Sequence, residues 1–178
     1  MKLKIKVKRL NKDIELPQVT EKGDWIDLRS SETLSLTAPQ ASVLRRHKLA
    51  DMEINHRDVS FDYSVISLGV AIQLPDGFEA IVASRSGTPS KFGIIVANSI
   101  GIIDQPYCGD KDEWKCPVLA IRDTVIHEGD RICQFRIQLS QKATFWQKLK
   151  WALSSGVEIV EVDSLSDTNR GMNVTGVK

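Results

Sequence analysis

The sequence predicts an all-β, jelly-roll-like barrel subunit. Three observations predict it. Short apolar segments of strand length recur along most of the chain, polar turns rich in Pro, Gly and Asp separate them, and no internal repeat organises them otherwise. The first segment, 2–8, alternates lysine with Leu, Ile and Val, which is the period-two pattern of a half-buried strand. Strands are then expected near 25–28, 33–37, 65–74, 79–83, 93–97, 100–104, 116–122, 131–138 and 157–162. The turn signals between them are Pro17, Glu21-Lys22-Gly23, Pro39, Pro75-Asp76-Gly77, Ser86-Gly87 and His127-Glu128-Gly129-Asp130.

Two segments break the strand pattern. Residues 40–60 are polar, with Leu44, Leu49 and Met52 at loose helical spacing, and are expected to form a helical or irregular excursion. Residues 142–154 place Phe145, Leu149 and Ala152, or Trp146, Leu149 and Leu153, on one face of a short amphipathic helix. That helix is expected to pack on its own body or on a sister subunit rather than on a membrane surface. The polar tail from Asp163 to Lys178, with Gly171 and Gly176, reads as a mobile arm following a domain of residues 1–162.

Composition bounds the function. A chain of 178 residues suffices for one domain with a real core. A net charge of +1 supplies no field for a nucleic-acid polymer. Cys108, Cys116 and Cys133 are odd in number and lack metal-ligand spacing, so reduced thiols and a cytoplasmic location are expected. No signal peptide opens the chain, and no run is long and apolar enough to span a membrane.

The richest stretch is Asn98-Ser-Ile-Gly101-Ile-Ile103-Asp104-Gln-Pro-Tyr107-Cys-Gly109. Asp104 closes an apolar segment that should be buried, and a carboxylate there must be hydrogen-bonded, paired or used. Pro106 and Gly109 bracket a turn expected to fold the chain back into a hairpin, bringing Tyr107 close to Asp104. A water-activating base beside an aromatic platform suits a pocket for a flat ring on a sugar.

Other constellations point to phosphate. Arg85-Ser86-Gly87 follows an apolar run and offers a guanidinium, a hydroxyl and close backbone approach. Gln134 lies in Gly129-Asp-Arg-Ile-Cys-Gln134-Phe-Arg-Ile137, on the face opposite Cys133, and its amide can bridge a phosphate oxygen or a metal-bound water. Asp27 sits between Ile26 and Leu28. With Asp24 it is a candidate for outer-sphere Mg²⁺ contact, because Mg²⁺ keeps several waters. Asn169-Arg170-Gly171-Met172-Asn173-Val174-Thr175-Gly176 is a glycine-flanked loop of the kind that wraps phosphates.

Taken in order, these segments resemble the trimeric dUTPase family, in its bacterial and phage branch. Asp27-Leu28 matches the end of the first motif and Arg85-Ser86-Gly87 the second. Gly101 to Gly109 matches the third, Gly-x-Ile-Asp-x-x-Tyr-x-Gly, with Asn98 upstream, and Gly129 to Gln134 matches the fourth. The fifth is degraded. It is one residue short, with Met172 where a base-stacking Phe is usual and Val174 in place of a phosphate-binding Ser. Segments 40–60 and 142–156 look like insertions.

The resemblance implies a dUTPase-like β-clip subunit, a homotrimer with shared active sites, and Mg²⁺-assisted hydrolysis of dUTP to dUMP and pyrophosphate. It implies Asp104 as general base, with Asp27 and Gln134 holding metal waters. Arg85, Ser86 and Gly87 would sit at the phosphates, Tyr107 against the deoxyribose excluding a 2′-hydroxyl, and Asn98, Gly101 and Ile103 at the uracil edge. Met172 covers the base, and Arg170 and Thr175 reach from a neighbouring subunit. A dUTP-binding regulator of low turnover is the alternative that the fifth motif raises. A dCTP deaminase-like enzyme is the other; it needs a glutamate on the strand after the hairpin, and Glu113 reads as preceding that strand, in a turn insertion.

Overall fold

The computed structural model describes residues 1–21, 23–41, 45–49, 52–56 and 58–166. Two sheets face one another. The first has five strands in spatial order β10 (Ile94–Val96), β12 (Glu113–Ala120), β8 (Tyr63–Gln73), β1 (Leu3–Arg9) and β15 (Val157–Glu161). The second has four, in the order β11 (Ile100–Ile103), β9 (Phe78–Ser84), β14 (Arg131–Leu139) and β2 (Ile26–Arg29). Two-stranded ladders complete the fold: β3 (Leu34–Leu36) with β13 (Thr124–Ile126), β4 (Gln40–Ala41) with β7 (Val59–Ser60), and β5 (Arg45–Leu49) with β6 (Met52–His56). The architecture is the expected jelly-roll type.

Alternation explains the layers. In β1, Leu3, Ile5 and Val7 are buried while Lys4 and Lys6 face out. Each such buried side chain contributes roughly 1.5–3 kcal/mol relative to exposure. Trp114 of β12 and Phe135 of β14 meet edge to face across the sheets, with centroids 5.2 Å apart. All ten expected strands form.

Several expectations are corrected. Segment 40–60 contains no helix among its described residues; it holds β4 to β7, with Arg45 opposite His56 and Leu49 opposite Met52. The turn after β11 does not close a hairpin, because β11 pairs with β9 whereas β12 pairs with β8 and β10. It carries the chain from one sheet to the other. Ile132 and Cys133 are both buried, since a register shift between Arg131 and Cys133 breaks the alternation.

The amphipathic helix forms as α2 (Phe145–Ala152), with Thr144 and Gln147 making a capping box. It docks through Trp151, whose ring meets Phe78 at 5.2 Å. Phe145, Trp146 and Leu153 are exposed, so neither expected seam is the packed one. A further short helix, α1 (Thr88–Phe92), and β13 were not anticipated. No helix among the described residues is long and apolar enough to cross a membrane.

Candidate active site

The first cluster gathers at one end of the four-stranded sheet. Asp27 on β2 lies opposite Gln134 on β14, and Gln134 opposite Ala83 on β9. Two residues past Ala83, Arg85 leaves the strand and turns its Nε onto Asp27 Oδ1 at 2.6 Å. Arg131 Nη1 reaches Asp27 Oδ2 at 3.1 Å. One half-buried carboxylate thus aims two guanidinium groups, the charge pattern that receives phosphate oxygens. Gln134 Nε2 donates to Ser84 O at 3.2 Å.

Ser86 and Gly87 are exposed beside this cluster. Gly87 has φ −85°, and a Cβ there would meet nothing within 4 Å, so the fold does not require glycine at this point. The open space suits close approach of a ligand to the backbone. Buried Thr88 ties the loop down by donating Oγ1–H to Ile132 O at 2.9 Å. Arg131 and Thr88 carry no role in the sequence reading. The opposed charges of Asp27 and Arg131 become a signal only once β2 and β14 are known to pair.

The second cluster surrounds Asp104. Tyr107 N donates to Asp104 O at 3.0 Å, closing a turn across Gln105 and Pro106. Asp104 is exposed, against the expectation of burial. The reason is topological: β11 is an edge strand, and its Ile100 and Ile102 are 53% and 55% exposed. Asp104 and Glu79 line a cavity of about 590 Å³ whose far wall is Ser140, Lys142 and the start of α2.

On the inner side, Asn98, Gly101, Ile103 and Tyr107 line a second cavity of about 260 Å³, between β11 and β12. Tyr107 Oη–H donates to Glu113 O at 3.0 Å. Cys116 also borders this cavity. The hydrogen bond from Cys133 to Cys116, together with burial, pushes the Cys133 thiol well up, so it stays a neutral S–H.

Glu113 opens β12 and does not sit in a turn. Its Oε1 accepts from Ser67 Oγ and from Gly69 N at 3.1 Å, so the carboxylate is engaged with β8. Asp24 is exposed ahead of β2. Arg170, Met172 and Thr175 lie outside the described residues. The approach to them is anchored: Asp110 Oδ1 accepts from Leu165 N at 2.7 Å, and Lys8 Nζ lies 3.0 Å from Asp110 Oδ2. The Leu165 amide and Lys8 hold the Asp110 carboxyl below its ordinary value.

The two clusters do not meet within one chain. Asp104 lies one step beyond the pair Ile103–Ala80, whereas Asp27 and Gln134 are level with Ala83. Four residues of β9 separate those levels, about 13 Å at 3.3 Å per residue. The sheet holds the Asp27–Arg85–Arg131 cluster and Asp104 apart.

A two-sheet β fold with an Arg–Asp–Arg cluster at one level and a ring-sized cavity near a carboxylate at another has the elements of a nucleotide-binding class of protein. The sequence model of the dUTPase family matches residues 51–174. The SPbeta prophage-derived deoxyuridine 5'-triphosphate nucleotidohydrolase of Bacillus subtilis is 37% identical over 169 residues, covering 95% of this chain and 94% of that protein. A mutant dUTPase from phage phi11 of S. aureus, solved for its coordination of a structural Mg(II) ion, aligns with TM-score 0.57 at 19% identity, over 79% of this chain and 94% of that one. A Staphylococcus bacteriophage 80alpha dUTPase mutant solved with dUpNHpp gives TM-score 0.56 at 19% identity, over 79% and 85%. This chain belongs to the dUTPase family.

Proposed function

We propose that the chain is a dUTP diphosphatase, hydrolysing dUTP to dUMP and pyrophosphate. The observation that carries this reading is the segment Asn98–Gly109. It supplies the wall of a ring-sized cavity and places a carboxylate at the end of the same strand. In this reading Asn98, Gly101 and Ile103 face the uracil edge, and Tyr107 stands against the deoxyribose, leaving no room for a 2′-hydroxyl. Asp104 orients water and takes its proton as the oxygen attacks the α-phosphorus, and the bond to the pyrophosphate leaving oxygen breaks. Arg85, Ser86 and the Gly87 backbone bind the phosphates where charge builds up.

Mg²⁺ is the proposed cofactor. Both oxygens of Asp27 are taken by guanidinium groups, and Gln134 keeps its amide oxygen for acceptance. Such donors suit the waters of an ion carried by the triphosphate rather than direct ligation. Held there through its waters by Asp27 and Gln134, Mg²⁺ would supply charge neutralisation at the leaving pyrophosphate.

The assembly proposed is a homotrimer with shared active sites. The 13 Å offset supports it, because one chain's carboxylate can serve another chain's arginine cluster about a threefold axis. Exposed Ile100 and Ile102 on the edge strand give that contact an apolar surface. The proposed division is a body of residues 1–162 and an arm of 163–178 that brings Arg170, Met172 and Thr175 to a neighbour. Free, buried cysteines accord with a cytoplasmic location. Glu113 borders the cavity from β12, so release from dUTP against dCTP is the comparison that separates the hydrolase from the deaminase alternative.

The test is pyrophosphate release from dUTP with Mg²⁺, beside dCTP, dTTP and UTP. Release from dUTP alone, lowered by about 10²-fold or more in Asp104→Asn, is the expected outcome. Tight dUTP binding without release in the wild type would instead favour the regulator, with the shortened loop at Arg170–Gly176 as its cause.

A further inference from the structure

Opposite β12, strand β8 is irregular. Glu113 pairs with Ala71 and Lys115 with Ser67, so between these pairs the single residue Trp114 of β12 faces Leu68, Gly69 and Val70 of β8. The excess is taken up as an arch around Gly69, which has φ +63° and where a Cβ would meet Ser31 Cβ at 2.7 Å. Glu113 spans the gap. One carboxylate oxygen accepts from Gly69 N and Ser67 Oγ, while the carbonyl of the same residue accepts from Tyr107 Oη. The Tyr107 ring and Glu113 both border the 260 Å³ cavity.

We infer that Glu113 is a positioning residue for sugar selectivity: by clamping the Ser67–Gly69 arch it fixes the carbonyl that holds the Tyr107 hydroxyl, and so fixes the wall that tells deoxyribose from ribose. The inference rests on the reading of Tyr107 as the sugar-facing wall. A wall excludes a hydroxyl only if it cannot retreat. Tyr107 follows the turn of the crossover between sheets; its ring packs against the core, and the tether fixes where its hydroxyl end stands. Glu113 itself touches no reacting atom.

The experiment compares dUTP with UTP, by steady-state pyrophosphate release and by calorimetric binding, in the full chain and three variants. Glu113→Ala is expected to narrow the dUTP-to-UTP ratio of kcat/KM about tenfold, chiefly through a rise in kcat/KM for UTP. Glu113→Gln keeps an acceptor for Gly69 N and Ser67 Oγ and restores the ratio. Tyr107→Phe removes the tethered hydroxyl and narrows the ratio as Glu113→Ala does. A purely structural role would lower the melting temperature and reduce both substrates alike, leaving the ratio unchanged. That outcome, in either Glu113→Ala or Tyr107→Phe, overturns the inference. If Glu113→Ala does not fold, the ratio in Tyr107→Phe decides. If the wild type binds dUTP but releases no pyrophosphate, the hydrolase reading fails and the binding ratio decides. A wild type that binds dUTP and UTP equally overturns the inference directly.

Discussion

Asp27 shows how one side chain organises a site. It is the shared acceptor of Arg85 and Arg131, from two different elements, and its side chain is 26% exposed. Replacing it with Asn removes the charge that aims both guanidiniums. Because the arginines are solvated, stability should change by less than about 1 kcal/mol. KM for dUTP should rise about tenfold or more, since charged hydrogen bonds to phosphate are worth roughly 1.5–3 kcal/mol each. Thermal melts beside steady-state kinetics check both parts; a large fall in stability with unchanged KM contradicts this role. Asp27, Arg85 and Gln134 were legible in the sequence as isolated candidates. Their meeting was not, because each comes from a different strand. The exposure of Asp104 was not legible either. An apolar run reads as buried whether its cover is the chain's own or another chain's.

At the scale of elements, strands with one face in the core were legible because burial imposes period two on the sequence. The hairpin β5–β6 was missed because Arg45–Leu49 carries one apolar residue, and the short alternation of Met52-Glu-Ile54-Asn was outweighed by the helical spacing of Leu44, Leu49 and Met52. The crossover after β11 was missed because a turn signal fixes a bend and not the sheet that receives the strand. The parallel pair β1–β15 closes the body and carries a pH-dependent tie. Arg9 and then Lys12 hold the Glu161 carboxyl down to about 2, from an ordinary 4.5. A depressed folded value contributes stability that is complete above pH 4.5 and is lost as pH falls toward 2. Melting wild type beside Glu161→Gln from pH 6 to about 2 should show a difference that is constant above about 4.5 and shrinks steadily below it. A difference that grows on acidification contradicts the assignment.

At the scale of the whole molecule, the fold sets the two proposed parts of the site at different levels of one sheet. The four-stranded sheet is rigid and holds its two polar ends about 13 Å apart, so no side-chain rotation joins Asp104 to Arg85. In the proposed homotrimer, a closed ring of three chains would join them without changing any one chain. That assembly would also cover the exposed Ile100 and Ile102 on β11.

The most direct measurement mixes two variants that are each inactive, Asp104→Asn and Arg85→Ala, by co-expression as one population. If every site takes its carboxylate from one chain and its arginine from another, random assembly restores about a quarter of wild-type dUTP turnover. If the mixture stays as inactive as its components, both groups act within one chain and the divided-site account is wrong.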